Sequence, residues 1–202
     1  VSNMTRGRSC SCLMAEKAET DVFPIDIGIA CEVEHQGKLH PLTERKIRRG
    51  TSHFTKEAAM TRQEVLTAVL TGIDAVRVLK DREYRLFTVG EMGIGNTTTS
   101  SAVASVLLRK EPELVTGCGA GLDLAGLKRK TKAIRRGIDL HQPDPMDGMD
   151  VLQKVGGFDL AAMAGAFLGG AIYHVPVVID GVIAAAAAAA ASYSLSFMYF
   201  GS

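Results

Sequence analysis

Residues 85–103, R-L-F-T-V-G-E-M-G-I-G-N-T-T-T-S-S-A-V, hold glycines, hydroxyls, an amide and one carboxylate at a spacing that could do chemistry. Gly90, Gly93 and Gly95 permit backbone angles closed to other residues. Asn96, Thr97 and Thr98 follow as good N-cap residues, and a small-residue run to Leu108 reads as a helix. Ahead of the glycines, Leu86, Phe87 and Val89 form an apolar run that suits a buried strand and is too short for a helix. Strand, glycine turn and helix start aim unpaired N–H groups and a positive dipole end at one point, which makes an anion site, most often for phosphate. Glu91 would be repelled by phosphate, so it faces a sugar hydroxyl or a cationic ring; the plain alternative is a solvated glutamate on a glycine-rich turn. The spacing G-x-x-G-x-G fits neither the dinucleotide fingerprint nor the P-loop, which needs a Lys-Ser/Thr pair.

A second glycine-rich turn, Gly117, Gly119 and Gly121, lies in residues 115–126 and again leads into a helix, with Leu127, Ile134 and Ile138 along it. Lys130, early in that helix, could fold back towards a phosphate. Lys128, Arg129, Lys132, Arg135 and Arg136 crowd the same segment, and spacing alone favours a solvated basic face. Two more carboxylates stand out. Asp180, with Gly181, closes the β-branched run V-P-V-V-I-D-G of residues 175–181, at the strand end where open α/β sheets place their ligands. Asp26 interrupts the apolar run of residues 21–29, so it is either exposed at the strand end or satisfied by neighbours.

These turns need a scaffold. Thr61 and Glu64 form a capping box, and Val65, Leu66, Val69, Leu70, Ile73, Val76 and Leu79 repeat at helical spacing behind it. Residues 9–18 read as a helix, 31–54 as a long basic loop, 149–155 as a short helix, and 158–173 as a helix whose Gly165, Gly169 and Gly170 allow close approach. Pro24 puts the strand of 21–29 near an edge or starts it after the proline. Helices alternating with strands predict a three-layer α/β fold with a mainly parallel, Rossmann-like sheet, in a single α/β domain over residues 1–202.

Composition narrows the classes. The chain has 202 residues, a net charge of +1, 21 glycines and no tryptophan, which gives no footprint for nucleic acid. Cys10, Cys12, Cys31 and Cys118 show neither a C-x-x-C pair nor histidines at metal spacing, so reduced thiols in a cytoplasmic protein and no metal are expected. The N-terminus lacks the apolar core of a signal peptide, and Met4 is internal. Residues 182–200 are uncharged and long enough for a membrane span, but the alanines 184–191 favour a buried core helix.

Four blocks in order resemble the nicotinate-nucleotide:dimethylbenzimidazole phosphoribosyltransferase family. They are Glu91-Met-Gly-Ile-Gly-Asn-Thr-Thr98, Gly117-x-Gly-x-Gly-Leu-Asp123, Gly156-Gly-Phe158 with its helix, and Val177-Val-Ile-Asp-Gly181. Arg45-Lys-Ile-x-x-Gly-Thr51 through Ala59-Met-Thr-Arg62 match more loosely. The resemblance implies that a benzimidazole nitrogen attacks C1′ of nicotinate mononucleotide, nicotinate leaves, and α-ribazole 5′-phosphate forms for cobalamin assembly, with no cofactor. It further implies that Gly93, Ile94, Gly95, Asn96, Thr97, Gly117, Gly119 and Gly121 hold phosphate and ribose. Lys130 would pair with the phosphate, Glu91 would face the reacting centre, and Asp180 with Gly181 would line the nucleotide pocket. The expected partners are the mononucleotide and a benzimidazole-type base, with no nucleic acid and no membrane, in a homodimer.

The family's principal base, a glutamate in a glycine-rich segment beyond the I-D-G strand, has no counterpart here, and part of the benzimidazole pocket is absent too. Thr99 and Leu124 depart from the family's usual residues. The expectation is therefore the central part of such an enzyme, with Glu91 as the in-chain carboxylate placed to act as base. The alternative is a catalytically weak mononucleotide-binding remnant.

Overall fold

A computed structural model describes residues 1–32, 40–119 and 121–200. The chain divides into two compact units, Val1–Gly50 and Thr51–Ser202. The fold is mixed α/β and mostly helical, and among the described residues its strands pair in parallel, two by two.

In the first unit, helix α1 (Ser2–Thr5) precedes α2 (Cys10–Lys17), whose N-cap Ser9 accepts from the Cys12 amide at 3.2 Å. The strand expected over 21–29 shrinks to β1 (Ile25–Asp26), which starts directly after Pro24 and runs parallel to β2 (Thr43–Glu44). The expected long loop thus supplies a strand; residues 33–39 of it lie outside the described residues. Asp26 is buried, and its neighbours satisfy it fully. Its Oδ1 accepts from the Gly28 and Ile29 amides at 3.0 and 2.9 Å, while Oδ2 meets Lys46 Nζ at 3.2 Å. This aspartate ties the basic segment to the strand, a structural duty.

The second unit begins with α3 (Arg62–Asp81), closed by the predicted capping box: the Glu64 amide donates to Thr61 Oγ1 at 3.2 Å, and the Thr61 amide to Glu64 Oε2 at 2.7 Å. Thr61→Ala is expected to cost about 1 kcal/mol, read as a lower urea midpoint with an unchanged m-value. The buried face of α3 is Val65, Ala68, Val69, Gly72 and Val76, whereas Leu70, expected inside, is 59 % exposed. Small residues win this face because its neighbour comes too close for leucine.

After α3 come β3 (Phe87–Thr88), α4 (Asn96–Leu108), α5 (Pro112–Val115), α6 (Leu124–His141), α7 (Gly148–Val155), α8 (Phe158–Tyr173), β4 (Val177–Val178) and α9 (Gly181–Phe200). α3 lies against α8 with glycines at the crossing. A Cβ on Gly72 would run into the Ala162 carbonyl oxygen, and one on Gly165 would run into that of Val69. β3 pairs with β4 in parallel, Phe87 opposite Val177 and Thr88 opposite Val178. The run 175–181 therefore contributes only two residues to the ladder. α9 packs on α8, α4 and α7 and buries Ala184, Ala186, Ala187, Ala190 and Ala191, the core helix its composition predicts. No helix among the described residues is long and apolar enough to cross a membrane. All four cysteines are free.

Candidate functional site

The parallel β3–β4 pair sends two chains out of the same end. Gly90 and Glu91 leave β3, and Asp180 and Gly181 leave β4; each path then starts a helix, α4 or α9, and the two helices pack together. Both helices open on a left-handed glycine, Gly95 at φ +88° and Gly181 at φ +80°. The N-cap of α4 is thus Gly95, with no side-chain cap, and not one of the polar residues 96–98. This frees Asn96 and Thr97, in the first turn of α4, for other partners.

Thr97 faces the second glycine turn, in which Gly119 and Gly121 take left-handed angles of +61° and +97°. Asp123 then caps α6 by accepting from the Gly126 amide at 2.6 Å. Two turns of helix later the chain buries Lys130, 7 % exposed, while Lys128, Arg129, Lys132, Arg135 and Arg136 stay in solvent. Lys130 Nζ donates to Thr97 Oγ1 at 3.0 Å and to the Gly117 carbonyl at 3.1 Å. A Cβ on Gly119 would lie 3.2 Å from Thr97 Oγ1 and 3.8 Å from that ammonium. The two glycine turns converge, and Lys130 is the link between them. The solvated reading that spacing favoured for Lys130 is corrected here. Residue 120, inside the second turn, lies outside the described residues.

The electrostatics of this corner are lopsided. Burial holds the Lys130 ammonium below the usual lysine range, and its hydrogen-bond acceptors are neutral; a milder opposing pull comes from Cys118. A buried cation without a carboxylate beside it is costly unless an anion arrives. Just before Gly117, Thr116 Oγ1 is buried with no hydrogen-bond partner among the described residues.

Asn96 faces the other way and donates from Nδ2 to Glu91 Oε2 at 2.5 Å. Burial first, and the nearby Asp159 carboxylate after it, push the Glu91 carboxyl above its ordinary value, with the Asn96 bond opposing them. Asp159 is itself pushed up by burial. A raised carboxyl binds more protons folded than unfolded, so its ionisation destabilises the fold as pH rises above the unfolded value. Glu91→Gln is therefore expected to raise Tm at pH 7 and to leave it unchanged at pH 3, where both states carry the proton; a pair of calorimetric scans reads the difference.

The structure gathers Glu91, Gly93, Asn96, Thr97, Gly117, Gly119 and Lys130 around the first turn of α4. Asp180 and Gly181 sit at the shared strand end and are exposed; Gly95 and Gly121 are needed for their backbone angles, with open space beside them. Ile94 is fully exposed at 112 %. Gly90 needs neither a left-handed angle nor a close approach. Sequence reasoning missed Asp159, in the first turn of α8. A Cβ on Gly93 would come 2.6 Å from its Oδ2. An acidic residue in a first helical turn is ordinary dipole complement, so only the partnership with Gly93 could have singled it out.

The phosphoribosyltransferase family model matches residues 1–196. The nicotinate-nucleotide–dimethylbenzimidazole phosphoribosyltransferase of Clostridium acetobutylicum is 46 % identical over 91 % of this chain and 51 % of its own length. Its namesake in Ruminiclostridium cellulolyticum is 45 % identical over 92 % and 51 %. The crystal structure of CobT from Thermus thermophilus superposes with a TM-score of 0.88 at 35 % identity, covering 95 % of this chain and 56 % of that one. The chain spans about half the length of the curated relatives it matches. From end to end of that match, this chain belongs to the nicotinate-nucleotide–dimethylbenzimidazole phosphoribosyltransferase family.

Proposed function

We propose that the chain supplies the mononucleotide site of a phosphoribosyltransferase that joins a benzimidazole-type base to the ribose of nicotinate mononucleotide, releasing nicotinate and giving α-ribazole 5′-phosphate. The observation that carries this reading is Lys130: a buried ammonium bridging two glycine turns, held by neutral acceptors and poised for an anion. The 5′-phosphate and ribose would be held by that cation together with the start of α4 and the second turn, at Gly93, Ile94, Gly95, Asn96, Thr97, Gly117, Gly119 and Gly121. Asp180 and Gly181 would line the same nucleotide pocket from the end of β4.

The chemistry suits a site that mainly orients. A ring nitrogen of the benzimidazole attacks C1′, the C1′–N bond to the pyridinium breaks with its electron pair leaving on nicotinate, and the attacking ring sheds a proton. A cationic pyridinium is a competent leaving group, so the protein's work is alignment and removal of that proton. Glu91 is our candidate base: a partly buried carboxyl whose proton affinity burial raises above its ordinary value. Asn96 would keep that carboxylate aimed.

The β3–β4 pair is proposed to belong to a wider parallel, Rossmann-like sheet in a three-layer domain, and residues 1–202 to form part of that single α/β domain. The enzyme is proposed to work in the cytoplasm as a homodimer, which light scattering would test. The function itself is tested by titrating the protein with nicotinate mononucleotide and with nicotinic acid in a calorimeter. Next, nicotinate release is followed after dimethylbenzimidazole is added. Binding of the mononucleotide at least about 100-fold tighter than nicotinic acid supports a phosphate-anchored site. Equal affinity for the two, or none for either, sinks it.

A further inference from the structure

Asp159 has no role in the reading above, yet it sits against the turn that the reading depends on. Its carboxylate is wedged between two glycines from different segments. Oδ2 lies 2.6 Å from the Cβ position of Gly93, and Oδ1 lies 2.5 Å from that of Gly157. Any side chain at either position would drive the carboxylate out. Oδ1 also accepts from the Leu160 amide at 2.9 Å, which fixes the rotamer on the first turn of α8. Thr99 Oγ1, from α4, closes the slot at 3.7 Å from the Gly157 Cβ position. One rigid helix thus presents a carboxylate to the underside of the first glycine turn.

From this geometry we infer that Asp159 is a positioning residue of the mononucleotide site: it braces the Gly93 turn from α8 and sets the charge that Glu91 faces. The inference deepens the proposed function and rests on it for the word mononucleotide; the bracing stands on the geometry at Gly93 and Gly157 alone.

A purely structural explanation is weaker. An acidic residue in a first helical turn gains about 0.3–1 kcal/mol from the dipole, and it does so best when solvated. Asp159 is instead largely buried, where the charged form is disfavoured. Asparagine would fill the same slot and accept the same Leu160 amide without that cost. What asparagine lacks is the charge, and the group within reach of that charge is Glu91. Among the described residues, Glu91 is faced by the neutral Asn96 from α4 and by Asp159 from α8, with no third charged group acting on either carboxyl. Asp180, beyond β4, is exposed, and Lys130 is engaged with Thr97 and Gly117.

Two variants separate the parts of the inference, and neither measurement needs ligand. In Asp159→Asn the wedge is kept and the charge removed. The Glu91 carboxyl, followed by carbon NMR and assigned by its disappearance in Glu91→Gln, is expected to titrate at lower pH than in the parent protein. A role confined to packing would leave that midpoint where it is, and an unmoved midpoint overturns the charge role. In Asp159→Ala the wedge goes, and amide exchange at Gly93 and Gly95 is expected to speed up about tenfold relative to the α3 amides. Unchanged exchange overturns the bracing. Mononucleotide affinity is then measured separately. Should the parent protein fail to bind it, the proposed function falls while the titration and exchange results still decide this inference.

Discussion

Replacing Lys130 by alanine is expected to weaken nicotinate mononucleotide binding about 100-fold while changing nicotinic acid binding by less than about twofold. The size follows from what is lost: charge-assisted hydrogen bonds to one phosphate contribute about 1.5–3 kcal/mol, and each 1.4 kcal/mol is about tenfold. Nicotinic acid lacks the phosphate and should not notice. Free of ligand, the variant should be no less stable at pH 7, because the residue removed is a desolvated cation. The sign of its pH dependence is fixed as well. Lys130 in the folded protein lies below the usual lysine range. The unfolded chain therefore holds the extra proton between the two values, and stability rises with pH through that window. Mononucleotide binding runs the opposite way: it falls on the alkaline side as the ammonium is lost, and Lys130→Ala should show no such limb. Arginine should not rescue it, since a planar fork does not fit the slot shaped by Thr97 and Gly117. Calorimetry across pH reads all of this, and an equal loss for both ligands would contradict the phosphate assignment.

The second large effect lies where α3 crosses α8. Gly72→Ala and Gly165→Ala each drive a methyl group into a backbone carbonyl oxygen of the opposing helix. Alanine in a helix interior gains about 1 kcal/mol over glycine in propensity, whereas overpacking a tight contact costs about 1–3 kcal/mol or more. Backbone cannot swing aside as a flexible side chain can, so the clash wins, and each variant is expected to lose about 2 kcal/mol. Because the two positions serve one contact, the double variant should lose less than the sum. Urea melts of the three proteins check this. A propensity gain alone, seen as a raised midpoint, would mean that α3 and α8 do not meet at these glycines.

Local signals in the sequence were legible wherever chemistry stays within a few residues. The capping box of α3, the helix within residues 9–18, the glycine approach of α8 and the buried alanine helix all rest on neighbours or on composition, and all appear. Ladder length was not legible. Residues 175–181 look like one continuous strand, yet pairing needs a partner, and β3 offers two residues. Burial of Leu70 was overestimated because periodicity records which face is apolar and not how close the next helix comes. The α4 cap was misread for a related reason: Asn96 and Thr97 have cap chemistry, but Glu91 and Lys130 compete for their side chains, and a left-handed Gly95 starts the helix instead. At the site, glycine spacing pointed to both turns. Their meeting through Lys130 depends on a contact 33 residues apart, and Asp159 depends on one across helices. No window of sequence contains either.

The alanine run of α9 has one more consequence. Identical side chains cannot tell one alignment from the next: shifted lengthwise by a full turn, Ala184, Ala187 and Ala191 would meet their neighbours almost as well. What forbids the shift is a notch where Gly148, lacking a side chain, admits the Ala190 carbonyl and the Ser194 hydroxyl. One missing methyl group thus helps to register a 20-residue rod. The end of that rod carries Gly181 beside Asp180, so a slip at the notch would be felt where β4 ends.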